Sequence, residues 1–170
     1  MQLIEMNFIK KPTISNGRVF ICLGNSEDIQ KTIIKIHDSL ILNGYNPEMI
    51  DIVYIDKINS ISSNVFNRIS AQKMFNLIEM SELCLITPGN ISYEVFKVGR
   101  NCVIGCLNEG QIKVARKFEK LNLCNYVGLW DNFERLDLDS ISKNSGKIIS
   151  TQNQFFKENS LKKIKSEIWI

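Results

Sequence analysis

Leu83-Cys84-Leu85-Ile86-Thr87-Pro88-Gly89-Asn90-Ile91-Ser92-Tyr93-Glu94 decides the fold. Its first half is an unbroken apolar run. Such a run reads as a strand buried on both faces, where a half-exposed strand would alternate. Pro88-Gly89 breaks the run, and a helix opens behind it. The same order of events occurs at Val19-Phe20-Ile21-Cys22-Leu23, followed by Gly24-Asn25-Ser26-Glu27-Asp28. A turn between a buried strand and a helix N-terminus is where an α/β protein holds phosphate. The first-turn N–H groups have no internal partners there, and the helix dipole is positive. Two such turns fit a nucleotide diphosphate site. With one glycine each they also fit ordinary strand-to-helix connections, and the residues alone leave both readings open.

Outward from these runs, strand and helix alternate. Ile29, Ile33, Ile36 and Leu40 recur at helical spacing, and Asn43-Gly44 ends that helix. Residues 50–55 and 65–69 read as strands two and three. Ser70 is a good N-cap for a helix that turns Met74, Leu77, Ile78 and Met80 inward. After strand four at 83–87, a helix over 92–98 ends at Gly99 in the left-handed conformation. Residues 101–107 form strand five. A helix follows with Ile112, Ala115, Phe118 and Leu121 inward, and 123–127 form a short sixth strand. Phe133, Leu136, Leu138 and Ile141 suggest a short helix, and 152–168 a final amphipathic one. The expected fold is a doubly wound, mostly parallel sheet of about six strands with helices on both faces. Ligands bind beyond the carboxyl ends of such strands, so Gly24, Gly89 and Asn108 should share one edge. The expected division is a lead-in over 1–17, a Rossmann-like domain over 18–150, and a helix over 151–170 packed on that domain or on a partner.

The chain has 170 residues, 44% hydrophobic and 23% charged, which fits one globular domain. No apolar run reaches the roughly 20 residues that span a bilayer. The N-terminus has no signal-type segment, so a cytoplasmic location is expected. Five cysteines without an accompanying His or Cys pair read as buried reduced thiols, with no metal site and no cofactor. The net charge of +3 is spread among acids. Lys157, Lys162, Lys163 and Lys165 read as a solvated helix face, and neither nucleic-acid nor membrane-surface binding is expected, since no aromatic residues interleave with the basic ones.

Glu94 lies one turn into its helix. A carboxylate there is favourable by about 0.3–1 kcal/mol on dipole grounds alone. Alternatively it accepts hydrogen bonds from ribose hydroxyls. Ser92 and Asn90 can cap the helix or donate to phosphate. Gln111 and Asn108, on the loop after strand five, can be surface polar groups or bind a sugar. His37, the only histidine, falls mid-helix, away from the expected ligand edge, and no Ser or Cys has a plausible base beside it. No catalytic residue is therefore assigned.

The run 80–99, together with Asn108-Glu109-Gly110-Gln111-Ile112-Lys113-Val114-Ala115-Arg116-Lys117-Phe118-Glu119-Lys120, resembles the C-terminal, nucleotide-sugar-binding half of GT-B enzymes. Within these it is most similar to the glycosyltransferase family 28 C-terminal domain. The nearest kind is the UDP-2,4-diacetamido-2,4,6-trideoxy-β-L-altropyranose hydrolases of pseudaminic acid synthesis. The run 18–28 resembles that family's first strand and its Gly-Gly-Ser-Asp loop. The resemblance implies that Gly24, Asn25 and Ser26 lie by the diphosphate and that Gly89, Asn90 and Ser92 form a second phosphate-facing turn. It further implies that Glu94 binds ribose and that Gln111, with Asn108 beside it, binds the sugar or its neighbourhood. Three loops depart from the family: Gly24-Asn25 stands where it has two glycines, Pro88-Gly89-Asn90 replaces Gly-Gly-Ser/Thr, and Gly110 replaces the Asn before Gln111. A GT-B enzyme has two Rossmann-like halves, so the resemblance implies a UDP-sugar ligand, of the N-acetylated kind, and a second chain supplying the N-terminal half. The alternative is a non-catalytic nucleotide-binding or interaction module that keeps only the fold.

Overall fold

The structure, a computed structural model, describes residues 17–24 and 27–158. Asn25, Ser26, most of the 1–17 lead-in and the part of the final helix expected beyond 158 lie outside the described residues. Among the described residues six strands form one sheet: β1 Arg18–Cys22, β2 Ile50–Val53, β3 Asn64–Phe66, β4 Ser81–Ile86, β5 Asn101–Cys106 and β6 Asn125–Leu129. Their order is β3-β2-β1-β4-β5-β6, and every neighbouring pair is parallel. Five α-helices of the described residues connect and cover them: α1 Gln30–Leu42, α2 Ala71–Met80, α3 Asn90–Val98, α4 Ile112–Lys120 and α5 Leu138–Glu158. The doubly wound reading holds.

Successive strand residues point to opposite faces, so each strand feeds two cores. Val19, Ile21, Leu83, Leu85 and Val103 join Ile33, Ile36 and Leu40 of α1 on one face. Phe20, Cys84, Ile86, Cys102 and Ile104 meet α2, α3 and α4 on the other. On that second face Phe118 is wholly buried, with Tyr93 and Phe96 edge-on to its ring at centroid distances of 5.8 and 5.0 Å. Burial of both faces explains why the strands read as continuous apolar runs.

Local signals read from the sequence have their physical counterparts. The Ser70 side chain accepts from Lys73 N–H at 3.2 Å and caps α2. α3 ends at Gly99, whose φ of 73° is left-handed. Two inward assignments need correction: Met80 and Leu121 are 48% and 40% exposed. Each lies at the end of its helix, past the last turn that faces the sheet. The C-terminal reading also changes. Phe133 and Leu136 are buried from an irregular segment, and one continuous helix, α5, replaces the short helix and the later one.

α5 passes from one core to the other. Leu138 and Ile141 pack with the α1 face, whereas Phe155 and Phe156 pack with the opposite face. Between them the Gln152 amide donates to Arg100 O at 3.0 Å and Leu123 O at 2.7 Å, closing the entries to β5 and β6. The entries to β1 and β2 are joined by Arg18 and Asp51. Arg18 Nε donates to Oδ2 at 2.7 Å and Nη2 to Oδ1 at 2.5 Å, while Asn64 donates to the same Oδ1 at 3.0 Å. Asp51 is fully buried.

Candidate functional site

The strand order reverses between β1 and β4. A doubly wound sheet opens a crevice at that point, where the connections leave in opposite directions. The two loops singled out by sequence follow these two strands and flank the crevice. The Asn108 loop follows β5, one strand further on. With neighbouring strands about 4.8 Å apart, the three loops lie within roughly 10 Å of one another along one edge.

The loops are tied together. Thr87 Oγ1 donates to Leu23 O at 3.3 Å, which joins the end of β4 to the end of β1. Ser92, fully buried, donates from Oγ to Thr87 O at 3.1 Å and accepts from Gly89 N–H at 3.3 Å. Its hydroxyl therefore holds the turn from within. Asn90 is exposed at the first position of α3, and Gly89 is partly exposed as its N-cap. In the third loop, Gln111 Oε1 accepts from Leu107 N–H at 2.8 Å, so the carboxamide oxygen braces the loop it opens. Asn108 is exposed.

The glycines report on the space above the loops. A Cβ built on Gly24 or Gly89 meets nothing within 4 Å, whereas one built on Gly105 would run into the Trp130 ring. Gly24 has a φ of 110°, which disfavours a side chain on backbone grounds. Gly89 has an extended backbone that any residue adopts. Nothing in the protein itself requires glycine at 89, and the open space there is where a ligand backbone contact would form. Gly89→Ala is accordingly expected to leave stability within about 1 kcal/mol, because a poorer N-cap and a less flexible unfolded chain oppose each other. A drop well beyond that in thermal unfolding would show that the turn itself needs the glycine.

Glu94 is half-buried behind the second turn. Burial pushes its carboxyl up, and its charge is felt by the Cys22 thiol at the end of β1. Because the folded state disfavours its ionised form, Glu94 contributes stability at low pH that is lost as pH rises through its raised pKa. Glu94→Gln should therefore melt higher than the unsubstituted chain at pH 7, with the difference vanishing at acidic pH. A lower melting temperature at pH 7 would mean that the ionised carboxylate has a stabilising partner.

The five thiols are buried and free of disulfides. Burial raises all of them, Cys22 to about 11, so none is a ready nucleophile at neutral pH. Among the described residues no group of three or more His, Cys, Asp or Glu is placed to hold a metal, and no helix is long and apolar enough to cross a membrane. His37 is buried mid-helix, as its position implied, but it has a serine neighbour that sequence could not show. Nε2 lies 3.0 Å from Ser63 Oγ, and Nδ1 lies 3.0 Å from Asp38 Oδ1. These contacts fasten the segment before β3 to α1, away from the crevice. An open groove of about 710 Å³ along the outer edge of β6, lined by Asn125, Tyr126, Arg135 and Asn144, is also remote from the three loops.

The strand order and the reversal point define a doubly wound, Rossmann-like α/β domain. No protein-family model matches the sequence, and neither does any curated protein. Solved structures share the fold. The glycotransferase of kitacinnamycin superposes with a TM-score of 0.57 at 11% identity, over 93% of this chain and 43% of its own. A protein from Listeria monocytogenes, provisionally designated a UDP-N-acetylglucosamine 2-epimerase, gives 0.55 at 14% identity, over 78% of this chain and 39% of its own. The chain thus spans about two fifths of the length of either protein.

Proposed function

We propose that this chain is the nucleotide-sugar-binding half of a GT-B glycosyltransferase-like enzyme and that it takes a UDP-sugar, N-acetylated by preference. The observation that carries this reading is the latched pair of loops at the strand-order reversal, with open space above Gly24 and Gly89. Backbone N–H groups at the starts of α1 and α3 meet the diphosphate, and the same groups stabilise charge that develops on the UDP leaving group. Glu94 accepts from the ribose hydroxyls, and Asn108 and Gln111 lie toward the sugar. A separate chain supplies the other half and the general base. The coverage of about two fifths of each similar structure fits one half of such an enzyme.

Calorimetric titration of UDP and UDP-N-acetylglucosamine into the purified chain tests the reading. Micromolar to low-millimolar binding, tighter for the sugar form, is expected. Glu94→Ala should weaken it by about 1–3 kcal/mol. Gly89→Ala should weaken it about tenfold or more, the worth of one hydrogen bond to a charged group. Absence of binding to either nucleotide would remove the donor-site reading and leave the fold as an interaction module.

A further inference from the structure

α4 carries Lys113, Arg116, Lys117 and Lys120 at positions i, i+3, i+4 and i+7. That spacing puts four cations on one helix face. The opposite face belongs to the core, with Ala115 and Phe118 fully buried. Lys113, Arg116 and Lys120 are exposed, and among the described residues none of these three has a carboxylate within ion-pair distance. The dipole favours Lys117 and Lys120 in the last turn, but helix stability does not account for the stripe as a whole. Like charges three or four residues apart repel, and Lys113 sits in the first turn, at the positive end of the dipole. The single acid of the helix, Glu119, lies off the stripe.

We propose that this face of α4 docks the protein on an anionic lipid surface. The cations extend over about 10 Å of helix, so they present a flat charged strip. Leu121, 40% exposed at the end of the helix, sets an apolar side chain beside the cations. That pairing suits headgroups above hydrocarbon. The one aromatic ring of α4, Phe118, is buried, so the helix itself offers no platform for stacking nucleic-acid bases. α4 descends from the edge that carries the three loops.

Co-sedimentation of the full chain with vesicles tests this. Vesicles of phosphatidylcholine with about one-third phosphatidylserine should pellet the protein at low salt, and pure phosphatidylcholine should not. Each cation near such a surface is worth about fivefold in affinity, so Arg116→Glu with Lys120→Glu should lower binding by about 25-fold or more. Binding should also fall as salt shortens the screening length. Lys31→Glu, exposed on α1 against the other face, should change little. Should the double reversal unfold the chain, Arg116→Gln with Lys120→Gln is the substitute, with a smaller loss expected. Equal binding to both vesicle types, or unchanged binding by the folded double variant, would overturn the proposal. So would tighter binding to single-stranded polyuridylate than to the anionic vesicles, which would assign the strip to nucleic acid. UDP titration of the same variants should be unaffected, which separates this inference from the donor site.

Discussion

Arg18→Ala is expected to cost about 3–5 kcal/mol of folding stability, the range for breaking a buried ion pair from one side. The reason lies in Asp51 more than in Arg18. Asp51 sits fully buried in β2 and receives two hydrogen bonds from the guanidinium. Removing the guanidinium leaves a desolvated carboxylate with the Asn64 amide as its remaining donor in this group. The Arg18→Met, Asp51→Leu double substitution should recover most of the loss, because an apolar pair needs no mutual charge compensation. Chemical denaturation measures both. If Arg18→Ala costs under 1 kcal/mol, water reaches Asp51 and the pair is a surface contact.

Phe118→Ala should be comparably severe, about 3–5 kcal/mol. For a domain of this size that corresponds to roughly 6–20 °C in melting temperature. The ring lies between Tyr93 and Phe96 of α3, both edge-on to it. α3 begins at the Gly89 turn and α4 begins at Gln111, so Phe118 also sets the spacing of two of the three loops. UDP affinity should fall along with stability. Phe118→Leu, which keeps most of the volume, should restore both in large part. Full nucleotide affinity in a destabilised Phe118→Ala chain would mean that the loops are positioned by the strands alone.

Much of the fold was legible because both faces of the sheet are buried. Runs such as Val19 to Leu23 and Leu83 to Ile86 have no polar alternation to obscure them. β6 was placed about two residues early, since Leu123 and Cys124 are buried ahead of the strand and Gly128, at φ 86°, disturbs its end. α5 was split because its inward positions are Leu138, Ile141, Ser145, Ile148, Gln152 and Phe155. The spacing is regular, but Ser145 and Gln152 interrupt the apolar pattern, and Gln152 is buried to make hydrogen bonds that no periodicity foretells. The two turns of the candidate site were visible as breaks in apolar runs. Their latch was not, because Thr87 and Leu23 are 64 residues apart, and the Ser63–His37 contact was hidden in the same way.

α5 gives the molecule a mechanical seam. A sheet ordinarily keeps its two coverings apart, so each could loosen alone. Here one helix is anchored at its start in one covering and at its end in the other. Fraying of either side pulls on a member of the second, which favours a single cooperative transition over stepwise melting.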